Sequence, residues 1–259
     1  MKYEWQVEPG ATEPEPGAVL LCGFPSAGLA ATVAAHYMIR ALDLPRIAVL
    51  HSEDELPIAI VQNGRVNPPI RVHGRGQVAI VLSEFPPPPT ALTGLAETLL
   101  AGAEQRKMRL LLALEGVVPQ PVDNGEPAEP DAPSTEQSWV VTARADPALL
   151  ELFRKASAKP LSDAVLGGMT GALLVRSQSR QLPMGALLVS ARDSGGFPDH
   201  RAAAALIETV DRFLPDLKIE TGPLRTQAEV IERALRQAMK GHAKSQAAPR
   251  TEENASIYQ

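Results

Sequence analysis

Continuous apolar runs alternate along the chain with longer stretches of helical spacing. Residues 18–22 form the first apolar run, which predicts a buried strand. Residues 29–42 are alanine-rich, and their apolar positions recur at helical intervals. The segment Gly23–Gly28 between them begins and ends with glycine and predicts a turn. The chain is therefore expected to begin its fold with a strand, a turn and a helix.

The same two periodicities predict most of the remaining elements. Further strands are expected at residues 46–50, 78–82, 110–114 and 184–191, and further helices at 90–105, 146–156, 170–180 and 199–214. The dipeptide Asn63-Gly64 predicts a hairpin between residues 58–61 and 65–72. This alternation predicts an α/β fold with a mostly parallel sheet flanked by helices.

Four segments depart from this pattern and define the expected domain organisation. Residues 1–17 form an acidic, flexible leader, and residues 18–223 form one α/β domain. Residues 115–138 are rich in proline and acid with no lysine or arginine, which predicts a mobile loop inside that domain. Residues 224–240 predict a C-terminal amphipathic helix, and the polar residues 241–259 predict a disordered tail.

The C-terminal helix has a defined start and one apolar stripe. Thr226-Gln227-Ala228-Glu229 is a capping box. The stripe consists of Val230, Ile231, Ala234, Leu235 and Met239. An apolar stripe must be covered, so we expect contact with the body of the protein or with a second copy, which favours a homo-oligomer.

Composition excludes several classes of protein. The chain has 259 residues, 44% of them hydrophobic, and a net charge of −5, so the basic surface of a nucleic-acid-binding protein is missing. No run of residues resembles a secretory signal or a membrane span, and we expect a cytoplasmic protein that binds no membrane. The single cysteine, Cys22, lies in an apolar run and is expected in the core.

The turn Gly23–Gly28 follows a strand and precedes a helix, which is where backbone N–H groups bind phosphate. We name Gly23, Ser26 and Gly28 as a possible ligand loop. Leu29 stands where a phosphate loop has lysine, so a purely structural turn is the stronger interpretation. A second glycine loop, at residues 192–196, holds Asp193 and Ser194 without a histidine placed beside them.

Neither loop predicts a catalytic residue. The five histidines show no metal-ligand spacing, and the acidic residues 53–55 are explained by a solvated loop. We expect no metal, no cofactor and no enzymatic activity.

The last three residues are unusual for a polar tail. Ile257 can fill an apolar pocket, Tyr258 offers a ring with a hydrogen-bonding hydroxyl, and Gln259 carries the ionised α-carboxylate. The tail before them can reach about 20–25 Å as a flexible chain. We therefore interpret Ile257, Tyr258 and Gln259 as a partner-binding anchor.

Four stretches of the sequence resemble the proteasome assembly chaperone family. They are residues 21–28, 86–100, 167–174 and 196–203. The third has the pattern Gly-x-x-Gly-x-Leu-Leu and the fourth Pro-Asp-x-x-Ala-Ala, and the two occur together in this family. Ser26 stands where family members often have glycine, and the acidic loop is an insertion.

The resemblance implies an α/β sandwich similar to nucleoside phosphorylases without their catalytic residues. It also implies a homo-oligomer that binds the α ring of the proteasome core particle. Several archaeal members end in a hydrophobic-Tyr-any tripeptide, the HbYX motif, and Ile257, Tyr258 and Gln259 match it position by position.

Three functions are consistent with these observations. The leading hypothesis is an ATP-independent assembly chaperone or activator that docks its C-terminus into the proteasome α ring. The alternative is an enzyme, of the nucleoside phosphorylase or hydrolase type or a carboxylate ligase, acting in the cleft near residues 23–28 and 192–196. A third is an oligomeric scaffold whose tail serves only its own assembly.

Overall fold

The computed structural model describes residues 2–52, 57–62, 64–118, 137–192 and 197–230. Most of the predicted acidic loop, the second half of the predicted C-terminal helix and the whole tail lie outside these residues. Asn63 of the predicted hairpin turn and residues 193–196 of the second glycine loop also lie outside them.

The described residues form eleven strands and five helices, apart from a further helical segment at residues 222–230. The strands are β1 (Glu4–Val7), β2 (Val19–Gly23), β3 (Arg46–His51), β4 (Ile60–Gln62), β5 (Arg65–Asn67), β6 (Ile70–Arg75), β7 (Val78–Ser83), β8 (Leu110–Val117), β9 (Ser138–Thr142), β10 (Lys159–Pro160) and β11 (Met184–Ser190). The helices are α1 (Ala30–Ala41), α2 (Pro89–Gln105), α3 (Pro147–Lys155), α4 (Gly168–Ser177) and α5 (His200–Phe213). A short 3-10 turn, Ala27–Leu29, precedes α1.

Nine strands form one sheet in the order β1-β3-β6-β7-β2-β8-β11-β9-β10, and β4 pairs with β5 in a separate hairpin. The central strands β7, β2, β8 and β11 are parallel to one another. Antiparallel pairs flank them, β1 with β3, β3 with β6, β6 with β7, and β9 with β11. The sheet is therefore mixed, because the pairs beside its parallel centre are antiparallel except for β9 with β10 at one edge. The prediction of a mostly parallel sheet is thus correct only in part.

The short connection between β6 and β7 explains one of the antiparallel pairs. Only Gly76 and Gln77 separate the two strands, and Gly76 adopts a positive φ of 56°. A connection of two residues can join only antiparallel neighbours, because a parallel pair needs a long crossover. The predicted hairpin around residue 64 is confirmed as β4 and β5, which end at Asn67, before β6 begins.

Strand β1 was not anticipated within the predicted flexible leader. It pairs with β3 over its whole length, and Tyr3 beside it is buried. The Trp5 ring packs against Gly102 of α2, and the Arg106 guanidinium lies 4.4 Å from the ring centroid. The leader is therefore attached to the body by a strand and an aromatic side chain.

Helices cover both faces of the sheet and create two apolar layers. Helices α1 and α5 pack on one face, where Leu21, Leu112 and Val189 contribute to the core. Helices α2 and α4 pack on the other face, where Leu20, Cys22 and Leu111 contribute. Cys22 is buried as predicted, and burial raises the pKa of its thiol far above the usual range.

Residues 222–230 are helical and form the described part of the predicted C-terminal helix. Leu224 and Ala228 are buried, whereas Val230 is 55% exposed. One side of this helix therefore already packs on the body. No helix among the described residues is both long enough and apolar enough to cross a membrane.

Candidate functional site

The parallel strands β7, β2, β8 and β11 end at the same edge of the sheet, which we call the carboxyl edge. Ligands of open α/β folds bind at such edges. The loop from Gly23 to Leu29 leaves β2 here, Glu84 follows β7, and Glu115 lies near the end of β8. The candidate ligand loop and two carboxyl groups are thus on one side of the molecule.

Close packing explains why Gly23 ends β2. A Cβ atom at this position would lie 2.4 Å from the Ala35 Cβ and 3.0 Å from the Ala31 carbonyl oxygen, both on α1. Such distances are shorter than van der Waals contact, so only glycine allows α1 to approach the strand this closely. Gly23 therefore has a structural role in the described contacts.

The Ser26 hydroxyl oxygen accepts hydrogen bonds inside the loop. The Gly116 N–H donates to Ser26 Oγ at 3.0 Å, and the Ala31 N–H donates at 3.4 Å. A phosphate loop would direct such N–H groups at an anion. Here the serine oxygen occupies that position and links the loop to β8.

Gly28 is fixed between β11 and the start of α5. It adopts a φ of 58°, and a Cβ atom there would lie 2.7 Å from the Arg192 carbonyl oxygen. Its own carbonyl oxygen accepts a hydrogen bond of 2.7 Å from the Asp199 N–H. The loop backbone is therefore held tightly, and a side chain at residue 28 would disrupt it.

The buried Asp199 carboxylate connects three parts of the carboxyl edge. Its Oδ1 accepts from the N–H groups of Arg201 and Ala202 and caps α5, while its Oδ2 accepts from the Arg192 N–H at 3.0 Å. Asp199 is thus the N-cap of α5, the helix that the sequence predicts at residues 199–214. The resembling stretches at residues 21–28 and 196–203 thus contact each other directly.

Glu84 is the first of two carboxyl groups that the sequence analysis did not single out. Arg71, whose side chain is 2% exposed, donates to both Glu84 carboxylate oxygens, and the His36 Nε2 lies 3.0 Å from Oε1. Burial alone would raise the pKa of Glu84, but the hydrogen bonds and charges of His36 and Arg71 outweigh it and lower the pKa to about 2. Glu84 therefore carries a charge that His36 and Arg71 stabilise.

Glu115 is the second such carboxyl group, and its surroundings are different. The Thr170 hydroxyl donates a hydrogen bond of 2.6 Å to Glu115 Oε2. Burial raises the pKa of Glu115 to about 7, and the hydrogen bond from Thr170 opposes the shift only partly. At neutral pH, Glu115 is therefore divided between its charged and uncharged forms.

A local signal for both groups exists in the sequence. Arg71, the partner of Glu84, lies between the apolar residues Ile70 and Val72, and Glu115 immediately follows the apolar run of residues 110–114. A charged residue in such a position is buried on one side and requires a partner. The identity of the partners depends on strand order, which the sequence pattern does not reveal.

Four large apolar side chains are exposed at the carboxyl edge or beside it. Phe85 follows β7, Val118 follows β8, Val165 precedes α4, and Phe197 precedes α5. Among the residues described by the structure, no group of three histidine, cysteine, aspartate or glutamate side chains could hold a metal ion. The predicted anchor, Ile257, Tyr258 and Gln259, lies outside the described residues.

Comparison with known proteins identifies the family. The model of the PAC2 family matches residues 20–239, so the chain belongs to this family. A curated protein of Methanocaldococcus jannaschii, uncharacterized protein MJ0106, is 24% identical over 234 residues, covering 90% of both chains.

Two solved structures from Pyrococcus furiosus share the fold. PbaA, an archaeal homolog of proteasome-assembly chaperone, has a TM-score of 0.78 and 22% identity, covering 95% of this chain and 95% of PbaA. PbaB, an archaeal proteasome activator, has a TM-score of 0.72 and 19% identity, covering 92% of this chain and 99% of PbaB. At these identities, the likeness establishes the α/β architecture with its large mixed sheet.

Proposed function

We propose that this protein is an ATP-independent, proteasome-binding assembly chaperone or activator. The observation that carries the proposal is the combination of a PAC2-family body, similar in fold to PbaA and PbaB, with a sequence ending in Ile257-Tyr258-Gln259. Neither feature alone identifies the partner. Together they favour docking of the tail into the α ring of a proteasome core particle in the cytoplasm.

The tail tripeptide supplies three different interactions in this mechanism. Ile257 fills an apolar pocket between neighbouring α subunits, Tyr258 buries its ring with the hydroxyl at a polar rim, and the Gln259 carboxylate pairs with a cation of the ring. Because no step requires nucleotide hydrolysis, binding proceeds without ATP. The body then supports the tail and sets its distance from the ring.

Contacts at the carboxyl edge favour a binding role over an enzymatic one. Ser26 accepts hydrogen bonds from two backbone N–H groups, the Asp199 carboxylate caps α5, and Glu84 is paired with Arg71. These three groups are thus engaged in holding the fold. The possible ligand loop Gly23, Ser26 and Gly28 stays a prediction, with a structural role as the better explanation of its contacts.

A homo-oligomer would increase the number of tails that engage one ring. Val230 is 55% exposed on the helix whose opposite side packs on the body, and the predicted stripe continues beyond it. Covering this stripe with a second copy would place several tails near one another. Each engaged tail then raises the effective concentration of the next.

Co-elution with purified archaeal-type proteasome core particles tests this function. The full chain is expected to co-elute, whereas a chain ending at Ser256 is expected to elute separately with an unchanged far-UV circular dichroism spectrum. Tyr258→Ala is expected to weaken binding by about 2 kcal/mol or more per tail, because a buried aromatic anchor is lost. Ser256→Ala, which leaves the tripeptide intact, serves as the control. Equal co-elution of the full and shortened chains would contradict the proposal.

A further inference from the structure

The side chain of Glu115 lies between a rigid strand and a less constrained segment. Strand β8 pairs with β2 on one side and with β11 on the other, and the Gly116 N–H donates a hydrogen bond to the Ser26 hydroxyl. The backbone around Glu115 therefore cannot move without breaking the centre of the sheet. If the Glu115 carboxyl group ionises, the part of the structure that can move in response is the start of α4 and the segment before it.

The α4 side begins with residues 161–167, which form no helix or strand. Residues 162–165 in this segment are exposed, and Val165 is fully so. Thr170 in the first turn of α4 is buried, and its hydroxyl makes the hydrogen bond to Glu115 described above. Within this segment, Leu161 and Leu166 pack partly buried against the core, whereas the exposed residues 162–165 between them do not. The segment therefore opens at lower cost than the fully buried strands do.

No cation among the described residues compensates a charge on Glu115. Only burial and the Thr170 hydroxyl contribute to its shifted pKa. On the elements that pack around it, Arg192 after β11 lies beside Asp199, and Arg176 of α4 is paired with Glu97 of α2. Asp163, in the preceding segment, is exposed to solvent. An ionised Glu115 therefore requires water.

We propose that Glu115 is a pH-sensitive switch that controls the start of α4. When it is uncharged, the carboxyl group stays hydrogen-bonded to Thr170 and holds β8 in contact with the first turn of α4. When it ionises, hydration of the carboxylate requires residues 161–172 to separate from β8. The segment that carries the exposed Val165 is thereby loosened over the neutral pH range.

Amide hydrogen exchange of the full chain between pH 6 and pH 8 tests the switch. After correction for the intrinsic exchange rates, protection of residues 166–173 is expected to fall roughly tenfold, because opening allows Glu115 to titrate with its ordinary affinity for protons. In Glu115→Gln, protection of the same residues is expected to be independent of pH. Thr170→Val removes the hydroxyl donor and is expected to move the transition to higher pH.

Two controls distinguish the switch from a general effect of pH. Asp163→Asn removes an exposed charge from the same segment and is expected to leave the wild-type pH response unchanged. Residues 78–83 of β7 are expected to keep constant protection throughout. A pH response in Glu115→Gln equal to that of the wild-type protein would overturn the proposal, as would constant protection in the wild-type protein.

Discussion

Glu84 and Glu115 lie at the same edge of the same sheet, yet their carboxyl groups have opposite properties. Both are drawn toward the uncharged form by burial. Glu84 contacts Arg71 and His36, and its pKa falls to about 2. Among the described residues, Glu115 has a hydrogen bond only from the Thr170 hydroxyl, and its pKa rises to about 7. The comparison shows that neighbouring cations can outweigh the effect of burial and keep a carboxyl group charged.

The surroundings of the two groups at the carboxyl edge also differ: those of Glu84 are rigid, and those of Glu115 respond to pH. Glu84 joins α1, β6 and β7 through one ion-pair cluster. Glu115 joins β8 to α4 through one hydrogen bond that competes with hydration. Substitutions of Glu84 and Glu115 are therefore expected to change the free energy of unfolding in opposite directions and by different amounts.

Glu84→Gln is expected to have the largest effect on stability. It leaves the buried Arg71 guanidinium without its carboxylate partner, and the expected loss is about 3 kcal/mol at pH 7. Because the folded-state pKa is depressed, this stabilisation is present above about pH 4.5 and is lost as the pH falls toward 2. Urea unfolding at pH 7 and pH 3 measures both effects.

Glu151→Gln is the control for that measurement. Glu151 pairs with Arg154 on the exposed surface of α3, and its removal is expected to leave the urea midpoint unchanged. If Glu84→Gln is as harmless as Glu151→Gln at pH 7, the Arg71 cluster does not stabilise the fold.

Glu115→Gln is expected to stabilise the protein, and only at higher pH. The raised pKa of Glu115 means that its contribution is fully present below about pH 4.5 and is lost as the pH rises through 7. Relative to wild type, the variant should gain about 2 kcal/mol between pH 5 and pH 8, because glutamine never ionises. Urea unfolding at these two pH values checks the prediction, and an equal difference from wild type at both values would refute it.

Asp199→Ala is expected to have a smaller effect on stability. It tests whether Asp199, which also holds the Arg192 backbone, contributes more than an ordinary helix cap. Asp199 accepts from three backbone N–H groups, whereas Asp146 caps the start of α3 with a single bond to the Leu149 N–H. We expect Asp199→Ala to cost about 2 kcal/mol and Asp146→Ala about 1 kcal/mol. Thermal unfolding of the two variants compares them directly, and equal costs would show that the bond to Arg192 contributes little.

The sequence predicted the elements whose periodicity is local. The strands near residues 19–23, 78–83 and 184–190 are continuous apolar runs, and the caps Asp146 and Asp199 are visible as Asp-Pro and Pro-Asp signals. Strands β1, β9 and the two-residue β10 were missed. Strands β1 and β9 flank segments rich in proline and acid, and each of the three strands is stabilised by pairing with another strand of the sheet.

The carboxyl groups illustrate the part of the site that sequence alone could not reveal. Glu84 and Arg71 are 13 residues apart, and Glu115 and Thr170 are 55 residues apart. Their contacts depend on strand order and on the position of α4. The motif resemblance identified the loops that Asp199 joins, because those residues recur as a local pattern, but it gave no reason to select Glu115 or Arg71.

The central claim, that the chain docks through its terminal carboxylate, is tested most directly by extending the tail. A chain with an N-terminal tag should bind proteasome core particles and change their rate of peptide cleavage. The same chain with a few residues added after Gln259 should do neither, because the carboxylate is displaced and bulk is forced into a closed pocket. Both chains should unfold at the same temperature. Equal binding and equal cleavage rates for the two chains would contradict the tail mechanism.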